Sequence, residues 1–305
     1  MSIAFSHKPI MLNEVIEGLA IRPQGTYVDC TTGGAGHSKE IAARLKGGRL
    51  ICIDKDLDAL SVAKERLAGY NVDFIHGDFK DILPTLKGID GILMDLGVSS
   101  YQIDTAERGF SYRLDGELDM RMDQTASLDA KQVVNTYSEQ ALADVIYRYG
   151  EDKFARRIAH RIVEERAKAP ITTTAQLAAI VEGSIPGKYR YVGGNPCKRT
   201  FQALRIEVNG ELNGLYECIL AGIDNLNPQG RICVITFHSL EDRIAKTAFR
   251  YAELDCICDA KQPICTCNKV STATIITKKP LIATDEELAD NPRAESAKLR
   301  IAERK

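Results

Sequence analysis

Residues 26–54 read TYVDCTTGGAGHSKEIAARLKGGRLICID. The stretch opens with a short apolar run at 26–30 and closes with a second at 49–54, and both runs are typical of buried strands. Between them, a glycine-rich turn at 33–36 leads into a helical pattern over 37–45. A strand, a glycine turn, a helix and a second strand predict a crossover unit of a parallel sheet.

The same alternation continues on either side of a long interruption. Strands are predicted at 72–76, 89–95, 231–237 and 273–277, with helices at 57–67 and 82–86, one near 201–223 and a last one at 294–303. Residues 104–195 lack a strand pattern and instead predict helices at 128–135, 139–149, 152–168 and 174–182, with Ser138 and Thr173 or Thr174 as N-caps. We therefore predict an α/β domain formed by 1–103 and 196–305, with an inserted all-helical domain at 104–195.

The first four predicted strands end in an aspartate or are soon followed by one. These aspartates are Asp29, Asp54, Asp78 and Asp95. Because ligands of open parallel sheets bind beyond the carboxyl ends of the strands, these side chains predict an acidic rim over one edge. S-adenosylmethionine, which carries a sulfonium and an ammonium, is a ligand that such a rim suits.

Other residues near this edge fit the same donor. Gly33 and its neighbours allow the backbone to approach a ligand closely. Asp54 lies 20 residues after Gly34, a distance typical of a carboxylate that binds ribose hydroxyls. Phe79, just after the third strand, is placed to stack on adenine. A nicotinamide dinucleotide enzyme is the main rival, but its third glycine is replaced by Lys39.

Composition excludes several classes of protein. The formal net charge is −2, so RNA binding would need local clusters of basic residues. The first residues lack a signal-peptide pattern, and no run of about 18 apolar residues predicts a membrane span. Scattered cysteines in apolar runs are typical of reduced thiols, so we expect a cytoplasmic protein without a membrane partner.

Several long motifs resemble one known family from end to end. They are HKPIML at 7–12, MDLGVSSYQ at 94–102, RTFQALRIEVN at 199–209, FHSLEDR at 237–243 and LRIAER at 299–304. In this order they resemble the bacterial RsmH (MraW) family, the 16S ribosomal RNA cytosine-N4 methyltransferases. The resemblance implies a Rossmann-like class I S-adenosylmethionine methyltransferase sheet, with the insert as the RNA-recognition domain.

The family likeness also implies a donor site and a target. The implied donor residues are Ala35, Gly36, His37, Asp54, Phe79, Asp95 and Gln102. The implied target is the N4 amino group of the decoding-centre cytosine, position 1402 of 16S rRNA, in the small ribosomal subunit. The chain departs from the family at Ala35, where glycine is usual, and at Asn195 and Glu295. Ala35 would be strained by about 1 kcal/mol if its φ is positive.

Methyl transfer from a sulfonium mainly requires alignment of the acceptor amine. Asp95 is the candidate catalytic residue, because a carboxylate that accepts a hydrogen bond from the cytosine amino group favours its attacking form. The Asp/Asn-Pro-Pro-aromatic motif of classical amino methyltransferases is missing after Asp95, which disfavours a DNA cytosine-N4 methyltransferase. A ribosome-assembly factor without turnover is a further alternative, disfavoured by the intact aspartates.

A basic segment at 186–205 is the predicted RNA contact. It contains no acid and interleaves two tyrosines with its basic residues, a pattern suited to phosphate contact and base stacking. His238 is either a contact to the flipped base or a residue at a helix N-terminus. The predicted RNA-binding residues are Lys188, Arg190, Lys198, Arg199, Arg205 and His238.

Four cysteines fall within twelve residues near the end of the chain. They are Cys256, Cys258, Cys265 and Cys267. Paired cysteines in a polar loop fit a structural zinc site, and free or reversibly oxidised thiols are the alternative. The sequence leaves the oligomeric state open, with a homodimer among the alternatives.

Overall fold

The computed structural model describes residues 9–191, 194–259, 262 and 264–305. His7 and Lys8 of the first family motif and residues 192 and 193 of the basic segment lie outside the described residues. The chain separates into two compact units, Met1–Gly97 with Leu212–Lys305, and Val98–Glu211. The second unit contains the predicted insert at 104–195 together with residues 98–103 and 196–211, which the sequence pattern assigns to the α/β domain.

The first unit is built on one sheet, which runs in the order β3-β2-β1-β4-β5-β8-β6, with β7 also paired to β8. Strands β1 to β5 are parallel, and β8 is antiparallel to β5, β6 and β7. The strand order reverses between β1 and β4, and ligands of such sheets bind at this switch point. In chain order the strands are β1 (Thr26–Asp29), β2 (Arg49–Asp54), β3 (Val72–His76), β4 (Ile89–Asp95), β5 (Leu226–Thr236), β6 (Ala273–Ile275), β7 (Leu281–Ile282) and β8 (Lys298–Arg304).

Helices cover both faces of this sheet and form the second unit. Short 3-10 helices lie at Leu83–Thr85, Ala106–Arg108, Gly187–Tyr189 and Pro292–Ser296. In chain order the α-helices are α1 (Leu12–Leu19), α2 (Gly36–Arg44), α3 (Leu57–Arg66), α4 (Phe79–Ile82), α5 (Ser100–Asp104), α6 (Ala130–Thr136), α7 (Glu139–Gly150), α8 (Ala155–Arg166), α9 (Thr174–Ser184), α10 (Cys197–Asn209), α11 (Leu215–Asn225), α12 (Ser239–Glu253) and α13 (Asp285–Asp290). None of the described helices is long and apolar enough to cross a membrane.

The core of the first unit lies on both faces of the sheet. Along β2, Leu50 and Cys52 join one apolar cluster, whereas Ile51 and Ile53 join the other. Alternate residues of a strand point to opposite faces, so a continuous apolar run is what a sheet covered on both sides requires.

The second unit has its own core, drawn from helices α6 to α10 and from the segment before them. Ser138 caps α7 by accepting the N–H of Ala141, and Thr173 closes a capping box with Gln176 at the start of α9. These caps confirm the predicted starts of both helices, and Thr173 rather than Thr174 is the cap.

Two predicted elements are wrong. In place of the helix predicted at 294–303, the chain forms the end of a 3-10 helix (Pro292–Ser296) and then strand β8, whose central residues 299–302 are buried between β5 on one side and β6 and β7 on the other. The single helix near 201–223 is two helices, α10 and α11, because Gly210 ends the first in the left-handed conformation with φ 56°. The predicted fold class, an α/β sheet with an additional helical unit, is confirmed.

Candidate functional site

The glycine turn between β1 and α2 is held by hydrogen bonds to neighbouring strands. Gly33 has φ 50° and Ala35 has φ 63°, so the condition under which Ala35 would be strained is met. The Gly33 N–H donates to Asp54 Oδ2 at 2.7 Å, and the Thr32 N–H donates to the Ile53 carbonyl at 3.1 Å. Helix α2 then begins at Gly36, and its N-cap residue Ala35 gives no side-chain cap hydrogen bond.

Asp54 and Asp29 are tied to backbone groups at the ends of β2 and β1. Asp54 accepts the N–H groups of Gly33 and Asp56 on its two oxygens. Asp29 is 1% exposed and accepts the Ser38 hydroxyl at 2.5 Å and the Thr31 N–H at 3.1 Å. Burial raises the pKa of both carboxyls to about 6, although these hydrogen bonds oppose the rise.

Asp78 has a different environment from the other strand-end aspartates. Its carboxylate caps α4 by accepting the Lys80 N–H at 2.9 Å. Oδ2 also lies 2.8 Å from Lys55 Nζ and 3.5 Å from Lys80 Nζ. The negative charge of Asp78 is thus already balanced by lysines, and only three carboxyls remain for an acidic rim.

Asp95 ends β4 at the switch point and is the least satisfied of these carboxyls. Its Oδ1 is buried without a hydrogen-bond partner among the described residues, although a quarter of the side chain is exposed. Burial raises the pKa of Asp95 to about 8, and the negative charges of Asp29 and Glu241 add to the rise. A cation bound beside Asp95 would stabilise the ionised form of its carboxyl.

His37 lies in the first turn of α2 and faces Asp95. Its Nε2 is 2.9 Å from the carbonyl oxygen of Ile10, and because a carbonyl only accepts, Nε2 carries the hydrogen. Burial lowers the pKa of His37 to about 4, so the ring is neutral and Nδ1 holds a lone pair. Nδ1 lies 3.6 Å from Asp95 Oδ2, so a proton on Asp95 is favourably placed toward the ring.

Two other residues predicted to bind the donor make contacts that support the fold. Phe79 starts α4 and packs into the core with 9% of its surface exposed. Gln102 belongs to the second unit, where its side-chain oxygen accepts the Ser99 N–H at 3.1 Å in a capping box at the start of α5. Their roles toward the donor stay predictions.

His238 is the N-cap of α12, which is the helix-terminus alternative of the two considered. Its Nδ1 accepts the Glu241 N–H at 3.4 Å, and 7% of the side chain is exposed. Glu241 is only 1% exposed, and its carboxylate accepts hydrogen bonds from the N–H groups of Phe237 and His238. Sequence reasoning missed Glu241 as a site residue, although the cap-x-x-Glu spacing in FHSLEDR signals a capping box.

Part of the basic segment forms an exposed surface on the second unit. Tyr189 is 39% exposed, packs against Phe154 with ring centroids 5.8 Å apart, and has Lys153 Nζ and Lys188 Nζ each 4.8 Å from its ring centre. Lys198 and Arg199 are also exposed, and Arg190 is half-buried.

Arg205 differs from the other basic residues of the segment. Its guanidinium binds Glu211 through two hydrogen bonds of 2.8 Å, and 14% of the side chain is exposed. This bidentate pair accounts for Arg205 without RNA, so we leave it out of the candidate RNA surface.

Comparison with known proteins gives a single family. The model of the MraW methylase family matches residues 4–305. A protein of Clostridioides difficile (strain 630) named ribosomal RNA small subunit methyltransferase H is 53% identical over 98% of this chain and 99% of its own length. The protein of the same name from Brevibacillus brevis is 50% identical over 99% of each chain.

Among solved structures, an rRNA methylase from Streptococcus thermophilus covers 98% of each chain with a TM-score of 0.40 and 10% identity. The family match and the curated relatives confirm the resemblance seen in the sequence, and with it the expected S-adenosylmethionine-dependent methyltransferase activity. This chain belongs to the MraW methylase family.

Proposed function

We propose that this methylase transfers the methyl group of S-adenosylmethionine to the N4 amino group of the decoding-centre cytosine, position 1402 of 16S rRNA, in the assembled small subunit. Two lines support this target. The relatives named small subunit rRNA methyltransferases cover nearly the whole chain at about half identity. The observation that carries the chemistry is the buried Oδ1 of Asp95 at the switch point of the sheet, which has no hydrogen-bond partner in the part of the chain that the structure describes.

The residues at this edge of the sheet fit the donor. Asp54 and the turn it holds would bind the ribose and adenosine part, and the uncapped N-terminus of α2 would receive the donor carboxylate. Asp95 would lie beside the cationic part, where its raised pKa would fall toward its usual range. S-adenosylmethionine supplies an activated methyl group on its sulfonium.

Asp95 is then the proposed catalytic residue. A cytosine amino group is a weak nucleophile because its lone pair is delocalised into the ring. An Asp95 carboxylate that accepts one amino hydrogen favours the pyramidal, attacking form. As the methyl group moves to nitrogen, the sulfonium becomes a neutral thioether, so the pKa of Asp95 rises again and its carboxylate can take the proton that the methylated amine releases. Before the donor binds, the lone pair of the neutral His37 Nδ1 faces Asp95 Oδ2 at 3.6 Å and favours the protonated form of that acid.

The candidate RNA surface is the exposed basic and aromatic patch of the second unit. It is formed by Lys153, Lys188, Tyr189, Lys198 and Arg199. Exposed lysines around a tyrosine can neutralise phosphates and stack on an unpaired base. Such a grip is needed because the target base must leave its stack before its amino group can react.

Small subunits that lack the modification test this function. Incubation with methyl-labelled donor, followed by nucleoside analysis, is expected to place the label in N4-methylcytidine at the target position. Asp95→Asn is expected to lose most of the turnover, whereas Asp285→Asn, an exposed aspartate of the same unit, is expected to keep it. Label in another nucleoside, preferential labelling of DNA, or full turnover by Asp95→Asn with saturating donor would each refute part of the proposal.

A further inference from the structure

The four cysteines near the end of the chain form one cluster in the loop between α12 and β6. Their sulfur atoms all lie within 4.8 Å of one another. Sulfur–sulfur distances are 3.5 Å for Cys256–Cys265 and for Cys265–Cys267, 3.8 Å for Cys256–Cys267 and 3.9 Å for Cys258–Cys265.

These distances are those of a tetrahedral metal site. With Zn–S bonds of about 2.3 Å, the sulfurs of a regular tetrahedron lie about 3.8 Å apart. Disulfide sulfurs would lie about 2 Å apart and in separate pairs, which is a different arrangement. The other five cysteines of the chain are buried, so this cluster is set apart by both exposure and geometry.

Backbone N–H groups are arranged around the sulfurs with an approximate two-fold relation. The Ile257 N–H, between the first two cysteines, points to Cys267 Sγ at 3.4 Å. The Thr266 N–H, between the last two, points to Cys258 Sγ at 3.5 Å. Each C-x-C hairpin therefore directs the N–H of its middle residue to the second cysteine of the other pair, and such donors stabilise thiolate ligands.

The described apolar side chains beside the cysteines are exposed. Ile257 is 50% exposed and Ile264 is 74% exposed, so neither side chain contributes to a core. Short segments without a core need a cross-link or a metal to be ordered.

We propose that Cys256, Cys258, Cys265 and Cys267 bind one structural Zn²⁺. Four thiolates complete the tetrahedral coordination and leave no position for a substrate, so the ion orders the loop and takes no part in methyl transfer. The chain must lose the four thiol protons on binding, and the metal then contributes to the stability of the segment that joins α12 to β6.

Metal analysis of the full chain, purified without chelator or affinity metal, tests the site. Wild type is expected to contain about one zinc per chain. Cys258→Ser and Cys265→Ser, one from each pair, are expected to lose most of it, whereas Ile264→Ala, an exposed neighbour of Cys265, is expected to keep it. Replacement by Co²⁺ is expected to give the intense sulfur-to-metal absorption of a tetrahedral thiolate site.

A second test uses wild type alone, so its result does not depend on whether the serine variants fold. Removing the metal from wild type with a thiol-reactive mercurial and a chelator is expected to release about one zinc and to increase proteolysis within 255–270. Iron in place of zinc would overturn the assignment of the metal. Four freely reactive thiols without metal, or two disulfides found by mass spectrometry, would overturn the site itself.

Discussion

Asp95→Asn is expected to remove the part of the pH dependence of S-adenosylmethionine binding between pH 7 and pH 9 that comes from ionisation of Asp95. Because the Asp95 carboxyl has a pKa of about 8 without donor, about one molecule in ten is ionised there at pH 7 and about nine in ten at pH 9. If the ionised form holds the cation, donor affinity of wild type rises about tenfold over this range, or about 1.4 kcal/mol. The asparagine cannot ionise, so the variant lacks this rise.

Calorimetric titration in buffers of different ionisation enthalpy measures both the affinity and the protons released. At pH 7, wild type is expected to release about 0.9 proton per donor bound through Asp95. The donor's amino group also titrates in this window, but it contributes equally to both proteins. The decisive quantity is therefore the ratio of wild-type to variant affinity, and a ratio that stays constant from pH 7 to pH 9 would refute the placement of Asp95 beside the cation.

Three further outcomes are expected. Without donor, the raised pKa of Asp95 means that the folded protein is stabilised by the proton on this carboxyl, and this contribution is lost as the pH rises toward 8. The free energy of unfolding of Asp95→Asn, measured with urea, is therefore expected to exceed that of wild type by a larger margin at pH 8.5 than at pH 5. The margin is expected to grow by at least about 1 kcal/mol. Because Ala35 is buried with φ 63°, Ala35→Val is expected to lower the free energy of unfolding by more than about 2 kcal/mol and Ala35→Gly to change it by less than about 1 kcal/mol, as measured by the same method. Lys188→Glu combined with Lys198→Glu is expected to raise the KM for small subunits several-fold without changing donor affinity, while the control Arg157→Glu leaves both unchanged; equal losses in all variants would argue against a localised RNA surface.

The parallel half of the sheet was predictable because its residues satisfy local and tertiary demands together. In β2 and β4 the apolar runs are continuous, β-rich and followed by turn residues, so propensity and burial agree. Their predicted bounds, 49–54 and 89–95, match the structure. A strand can be predicted from a single sequence when its β propensity and its pattern of burial agree in this way.

Strand β8 was not predictable by the same reasoning. Residues 298–304 are rich in Lys, Arg, Ala, Glu and Leu, which favour a helix when considered alone. Pairing with β5 and β6 places Leu299 and Ile301 in the core and decides the conformation. The boundary between α10 and α11 at Gly210 was also not predicted, because the helical sequence pattern resumes within a few residues. The left-handed conformation of Gly210 marks this boundary in the structure.

For the site, the positions of the aspartates could be predicted but their charge states could not. The rule that strand ends meet at one edge brought Asp29, Asp54 and Asp95 together correctly. Whether each carboxyl is neutralised depends on partners distant in the chain, such as Lys55, which lies 2.8 Å from Asp78. Ion pairs between residues that are distant in the chain give no periodic pattern in the sequence from which they could be predicted.

The difference between Asp78 and Asp95 bears directly on which ligand the site can accept. Lysines already balance Asp78, so a cation gains little there. Asp95 faces a neutral histidine and two other acids, Asp29 and Glu241, with no basic partner among the described residues within ion-pair distance. Ionising it without a ligand is costly, and a sulfonium nearby removes that cost. An anionic or neutral ligand would not, so proton release from Asp95 on donor binding indicates a site for a cationic group.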